Sequence, residues 1–382
     1  MNTPADPLES VVAQFAPGEE GVLYFDANSI GAMPLAAERA LARLSDEWRR
    51  LRKRGWTDSD WLDAPARLGD KLAPVIGAEP GSVVVCDSAS VNLHKAVWMA
   101  LTLNPGRDVV LTEEGSFPTD LYVAENAARA KGAKLLRVAD FNSIESKFNS
   151  NVALLLLSHT DYRTSYRHDM AALTKLAHDR GALAVWDLSH SAGAVDCGLA
   201  ATQADFAVGC GYKYLCGGPG SPGWLYVAPR HQDAIQPAIA GWMGHAEPMA
   251  FDAAYRPAPG IRRHLAGTPP VSGNMLMEAA LDLWRDLDPA KAFEKHAALG
   301  DLLIRLAESP ALTLASPRET ARRGGFVAFR HANAAAFVAA LEKNGVVASY
   351  RKPDIVRFGL SPLYHRYADI QELGARLKRG MP

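Results

Sequence analysis

Apolar residues along this chain are spaced in two ways. Short, nearly unbroken runs occur at 83–86, 108–111, 134–138, 152–157, 183–186, 205–210 and 223–227. Runs of that length read as strands buried on both faces of a parallel sheet. Between them, apolar positions recur at helical spacing over 35–54, 64–76, 91–103, 121–131 and 170–180. Strands alternating with helices predict an α/β fold, a doubly wound, mainly parallel sheet with its ligand site along one rim. After 229 the texture changes. Residues 246–270 are proline-rich and irregular, and a helix is expected from 275 to 285. A smaller α+β region follows, with helices near 289–308 and 333–344 and strands near 326–330 and 354–360. The expected division is an N-terminal segment and helix over 1–55, a large domain over 56–286 and a small C-terminal domain over 287–382. Residues 1–20 read as a weakly ordered start with a helical turn or two. The basic turn Arg49 to Arg54 suits the negative end of a helix dipole, with Gly55 expected as the cap. No internal repeat, heptad pattern or low-complexity tract occurs.

The polar residues that end these runs carry the candidate chemistry. The 183–186 run stops at Asp187, with His190 three positions on, and the 205–210 run leads into Gly211-Tyr212-Lys213. Ligands of open α/β sheets bind at the carboxyl ends of the strands, so an acid, an imidazole, a phenol and an amine are expected to converge. An amine for a Schiff base and a carboxylate to keep a pyridine nitrogen protonated are what pyridoxal phosphate requires. Either residue alone reads more plainly as a surface lysine or a helix-capping aspartate; the pair at adjacent strand ends favours the cofactor. Ser88, Ala89 and Ser90 open a helix, where hydroxyls and free N–H groups suit a phosphate, although ordinary N-capping by Ser90 explains the serines equally well. Phe117-Pro118-Thr119-Asp120 and Ser158 follow two further runs. The loop from Tyr24 to Pro34 reads as a turn, or as backbone approaching a ligand. Trp56 and Trp61, expected in a loop, line an aromatic pocket or pack into the core. Arg357 falls inside an apolar strand; an internal salt bridge and a bidentate substrate carboxylate are both open.

Composition narrows the class without naming it. The chain has 382 residues, 48% of them hydrophobic and 22% charged, and a net charge of −1. That balance offers no electrostatic case for nucleic acid or an anionic membrane surface. The longest aliphatic run, 152–157, is far too short to span a bilayer, and the first residues carry no signal-peptide pattern. The four cysteines, Cys86, Cys197, Cys210 and Cys216, form no C-x-x-C pair and are expected as buried reduced thiols of a cytoplasmic protein. The eleven histidines show no metal-ligand spacing, so no metal is expected. No G-x-G-x-x-G follows a strand, which disfavours a nicotinamide site, and no phosphate-loop lysine follows Gly217 to Gly220.

Five segments, W-D-L-S-H-S-A-G at 186–193, G-Y-K-Y-L at 211–215, F-P-T-D at 117–120, G-W-M-G-H at 241–245 and R-F-G-L-S-P-L-Y at 357–364, resemble the kynureninase family. That family lies among the fold-type I pyridoxal phosphate enzymes, in the branch that also holds the cysteine desulfurases. The resemblance runs from Tyr24 to Tyr367. It implies hydrolysis of L-kynurenine, with the 3-hydroxy form as a second substrate, to anthranilate and L-alanine in tryptophan breakdown. It further implies Lys213 as the Schiff-base lysine, Asp187 at the pyridine nitrogen with Asp120 beside it, and Tyr212 as the proton donor to the β-carbon. Phe117 would stack on the ring within the Pro118-Thr119-Asp120 segment, and Ser158 and His190 would lie against the cofactor. Ala89, Ser90 and Tyr212 would meet the phosphate, joined by Trp242 and Thr268 across a homodimer. Arg357 would hold the substrate carboxylate, with Asn28 and Ser29 nearby and Trp56 at the aryl group. The chain departs from the family in Asp-Ala-Asn-Ser at 26–29, where glycine usually precedes Asn-Ser, and in Ala89 at the phosphate turn. A related cysteine desulfurase or selenocysteine lyase is the alternative.

Overall fold

The computed structural model describes residues 6–139 and 141–379. Seven of the apolar runs form one sheet: β1 (Val83–Val85), β2 (Val109–Glu113), β3 (Lys134–Val138), β4 (Val152–Ser158), β5 (Leu183–Asp187), β6 (Phe206–Cys210) and β7 (Gly223–Val227). Their spatial order is β1-β7-β6-β5-β4-β2-β3. The neighbours from β3 to β6 pair parallel, whereas β7 is antiparallel to both β6 and β1. Burial on both faces explains the unbroken sequence pattern. Val83, Val85, Leu155, Leu157 and Trp186 fall in one apolar cluster, while Val84, Leu154, Leu156, Val185 and Val208 fall in another.

The smaller region is a four-stranded antiparallel sheet, ordered Ser349–Arg351, Ile355–Gly359, Phe326–Arg330, Thr313–Leu314. Its own cluster joins Leu299, Leu303, Phe329, Phe358 and Ile370, from that sheet and the helices Pro289–Ala307 and Tyr367–Lys378. The N-terminal stretch touches both regions. Leu8, Val11 and Phe15 pack into a large-sheet cluster, Phe25 packs into the small one, and Leu23–Tyr24 pairs parallel with Val346–Val347. The expected weak start is a short helix at Glu9–Val12; residues 1–5 lie outside those described. Among the described residues, no helix is long and apolar enough to cross a membrane.

Three local expectations are corrected. Gly55 does not cap the helix Leu35–Leu51: a 3-10 turn, Arg52–Arg54, follows it, and Gly55, at φ −57°, opens a second short helix, Gly55–Asp58. A Cβ at Gly55 would meet the Trp61 ring at 2.2 Å, so close approach rather than handedness requires the glycine. Trp56 therefore sits on a helix, not in a loop. The N-cap of Ala89–Leu103 is Ser88, whose Oγ accepts the Val91 N–H at 3.3 Å, so Ser90 lies in the first turn with no capping duty.

Candidate active site

Four adjacent strands deliver the polar residues to one rim. Ser158 and Asp187 end β4 and β5 directly opposite one another in register. The helix Pro118–Ala130 after β2 carries Asp120 in its first turn, and Lys213 follows β6 by three residues. The Ser158 hydroxyl donates to Asp120 Oδ2 at 3.1 Å. Ser189 fixes Asp187 Oδ1 through its N–H at 2.8 Å and its hydroxyl at 2.6 Å. Burial, the negative charge of Asp187 and a hydrogen bond to that neighbour push the Asp120 carboxyl well above the usual carboxylate range, against the pull of Ser158 and Lys213. Among the described residues neither acid has an ion-pair partner within 4.0 Å.

Lys213 Nζ lies 3.1 Å from His190 Nε2. Burial, then the charges of Lys213, Arg357 and Arg351, hold His190 well below its ordinary value, so its ring is neutral. A neutral ring accepts the lysine proton at Nε2 and carries its own on Nδ1, which is buried without a partner. Tyr212 is half-exposed beside it; the adjacent Cys210, then burial, push its phenol up to about 12. The loop after Asp26 closes against this turn. Gly31 N–H donates to the Tyr212 carbonyl at 2.8 Å, and a Cβ at Gly31 would come within 2.3 Å of the Lys213 carbonyl.

Arg357 projects from the small sheet and is fully buried. Of the two partners left open for it, the internal salt bridge is absent among the described residues. Its guanidinium donates only to neutral groups, the Tyr162 carbonyl at 2.7 Å and Ser349 Oγ at 3.0 and 3.2 Å. Burial and the charge of Arg351 lower it to about 10, so it remains a cation at neutral pH. Ser349 Oγ also accepts from the Asn28 amide at 3.3 Å. Two rings link this group to the rim. Phe326 lies under the guanidinium, whose Cζ is 5.3 Å from the ring centroid, and edge-on to His190 at 5.7 Å. Tyr162 meets Phe117 edge-to-face at 5.2 Å.

The structure thus brings together Asp120, Ser158, Asp187, His190, Tyr212 and Lys213, with Phe117, Asn28 and Arg357 beside them. Pro118 and Thr119 are half-buried in the turn between Phe117 and Asp120, and Ala89 and Ser90 are half-buried at the start of their helix. Ser29 is half-buried in the Asp26 loop. Trp56, Trp242 and Thr268 make no hydrogen bond or ring contact with the cluster among the described residues; the Trp56 ring packs edge-to-face on Trp61 at 5.3 Å. Sequence reasoning missed Tyr162, Phe326 and Ser349. Tyr162, just beyond the end of β4, was the findable one. A cavity of about 700 Å³, lined by Arg167, Asp196, Phe293, His296 and Arg323, holds none of these residues; chemistry, not volume, locates the site.

This architecture is that of known enzymes. The cysteine desulfurase of Thermococcus onnurineus superimposes with a TM-score of 0.83 at 19% identity, over 99% of this chain and 98% of that one. The cystine C–S lyase C-DES gives 0.79 at 18% identity, over 96% and 100%. At such identity the likeness defines the fold. Sequence goes further. Kynureninase from Pseudomonas fluorescens is 43% identical over 98% of this chain and 93% of its own length. That of Deinococcus radiodurans is 44% identical over 96% and 91%. Residues 293–377 match the kynureninase C-terminal domain. The chain belongs to the kynureninase family.

Proposed function

We propose that this chain hydrolyses L-kynurenine to anthranilate and L-alanine with pyridoxal phosphate as its cofactor. The observation that carries the reading is a missing positive charge at the rim. Asp120 and Asp187 form a carboxyl pair without a cationic partner among the described residues, beside the Lys213 amine. A protonated pyridine ring supplies that charge. The rest of the rim fits the same group: the exposed Phe117 ring for stacking, the unpartnered His190 Nδ1, and the first-turn N–H groups of Ala89–Leu103 for a phosphate.

When bound, pyridoxal phosphate supplies an aldehyde for the substrate amine and a ring that draws electrons from the α- and β-carbons. The chain's own residues do the rest. Lys213 would tether the cofactor through its amine and, when free, would carry the α-proton. Asp187 would hold the proton of the pyridine nitrogen, with Asp120, itself held by Ser158, as its neighbour. Arg357 exchanges its neutral partners for the substrate α-carboxylate, a stronger, charge-assisted pairing. Asn28 and Ser29 border that carboxylate. Water adds to the γ-carbonyl and the Cβ–Cγ bond breaks. Tyr212, whose raised pKa keeps it protonated at neutral pH, hands its proton to the β-carbon.

The chain acts as a homodimer in the cytosol. Trp242 and Thr268 have no role within their own rim, and Val91, Tyr122 and Ile239 are exposed around a cavity of about 370 Å³ beside Ser90. Four unpaired, buried thiols support a reducing compartment and argue against a sulfur-carrying cysteine. The deciding assay is anthranilate fluorescence from L-kynurenine with the cofactor-loaded protein. A protein that yields none, while releasing alanine from cysteine, belongs with the lyases instead.

A further inference from the structure

The helix Ala89–Leu103 buries two polar side chains on its inward face, Asn92 and Lys95. The Asn92 amide donates to the Cys86 carbonyl at 2.7 Å. Lys95, 2% exposed, donates to Asp87 Oδ2 at 2.5 Å, to the His264 carbonyl at 2.8 Å and, at 4.0 Å, to Cys86 Sγ. A buried ammonium is costly unless fully paired, so the two segments it joins are informative.

One is the turn that starts the helix. Asp87 adopts φ +48°, a left-handed conformation unusual for a residue other than glycine. Its carbonyl accepts the Gly223 N–H at 2.8 Å. A Cβ at Gly223 would lie 2.6 Å from the Ala89 nitrogen, so β7 presses directly on the turn. Held this way, Ser88 caps the helix, and the N–H groups of Ala89 and Ser90 have no intrahelical acceptor. The other group is the segment that leads to Thr268. Met243 N–H donates to the Ala266 carbonyl at 3.3 Å, and a Cβ at Gly241 would come within 2.2 Å of the same oxygen. Trp242 therefore rides on the piece of chain that Lys95 anchors at His264.

We propose that Lys95 is a positioning residue for the cofactor phosphate. Its ammonium clamps the Asp87 turn to the His264–Thr268 segment, so one side chain fixes both the helix N-terminus that faces the chain's own phosphate site and the residues at 242 and 268 that face the site of the second subunit. Lys95 does not touch the phosphate; it sets the shape of the surfaces that do. The inference rests on the pyridoxal phosphate reading above and goes beyond it by naming what holds the phosphate site in place.

The test separates phosphate recognition from general stability. Apo protein is titrated with pyridoxal 5′-phosphate and, separately, with pyridoxal, which lacks the phosphate, following the near-visible absorbance of the bound cofactor. Lys95→Met is expected to weaken pyridoxal 5′-phosphate binding about tenfold or more, the size of one charge-assisted hydrogen bond. Pyridoxal binding is expected to stay within roughly twofold of wild type, because nothing in that ligand reads the turn. Asp87→Asn, which keeps the volume and removes the charge pair, is expected to shift the ratio of the two affinities the same way. Equal weakening toward both ligands, or an unchanged ratio, overturns the proposal. If Lys95→Met does not fold, Asp87→Asn decides by the same ratio. A wild-type protein that binds no pyridoxal 5′-phosphate overturns the cofactor reading and this inference with it, an outcome distinct from an unchanged ratio.

Discussion

The strand Phe206–Cys210 has a buried acid just before it and the Lys213 amine just beyond it, and its two ends are built on opposite terms. At the start, Asp205 is saturated. It accepts from His178 at 2.8 Å, His231 at 2.7 Å, Arg230 at 2.6 Å and the Ala184 N–H at 2.8 Å. Burial alone would raise its carboxyl, but the two histidines and the backbone N–H outweigh it and hold the group below the usual range. At the far end, Asp120 and Asp187 have one another, serines and a shared lysine field, with no ion-pair partner among the described residues. A saturated acid has nothing left for a ligand and serves the fold. An unsaturated pair is strain that a bound cation relieves, and such groups cluster at functional sites.

That contrast predicts different failures at the two ends. The largest loss belongs to Lys213→Ala, which should reduce anthranilate formation roughly 10³-fold or more, since tether and proton carrier vanish together. The cofactor absorbance should disappear while far-UV circular dichroism is unchanged. Retained turnover would move the chemistry off this rim. Next is Arg357→Gln, expected to lower kcat/KM roughly 100-fold, chiefly through KM, as about 2–3 kcal/mol of charge-assisted carboxylate binding is lost. A loss confined to kcat with KM intact would mean Arg357 does not bind the substrate.

At the saturated end the expected loss is in stability. Asp205→Ala removes the common partner of two histidines and an arginine, and should cost about 3–5 kcal/mol in urea unfolding. Turnover per folded molecule should stay near wild type. A large drop in kcat with unchanged stability would break the comparison.

The difference between the ends also explains what the sequence made readable. The strands were legible because burial on both faces leaves only apolar residues, Asp187 because it ends such a run, and Lys213 because it stands three residues past the neighbouring one. Ser88 and Ser90 were not separable, because both have the capping chemistry and only backbone geometry assigns it. Ser349 reaches Arg357 as its cross-strand partner in the small sheet, and Phe326 reaches His190 where that sheet meets the rim; neither contact leaves a local signal. Lys95 was passed over because a lysine in a helix ordinarily faces water. Its place among the buried Leu93, Ala96, Val97 and Met99 was the available clue.

The smallest and sharpest effect concerns Asp120 without cofactor. Asp205 titrates below the roughly 3.9 of an unfolded aspartate, so its contribution is complete above about pH 4 and fades as pH falls toward the folded value. Asp120 has the opposite sign. Its folded value is raised, so its contribution is complete below about pH 4 and is lost as pH rises through the folded value. At neutral pH the apo chain therefore carries a cost at position 120 that an uncharged isostere avoids. Asp120→Asn still accepts from Ser158 and donates to Asp187, so apo Asp120→Asn should melt above apo wild type at pH 7, and the gap should close as pH falls toward 4. With cofactor bound, the positive ring offsets the wild-type cost, and the gap at pH 7 should shrink. An apo variant that melts lower than wild type at every pH would mean that Asp120 is as satisfied as Asp205, and that the rim has no charge deficit for a cofactor to fill.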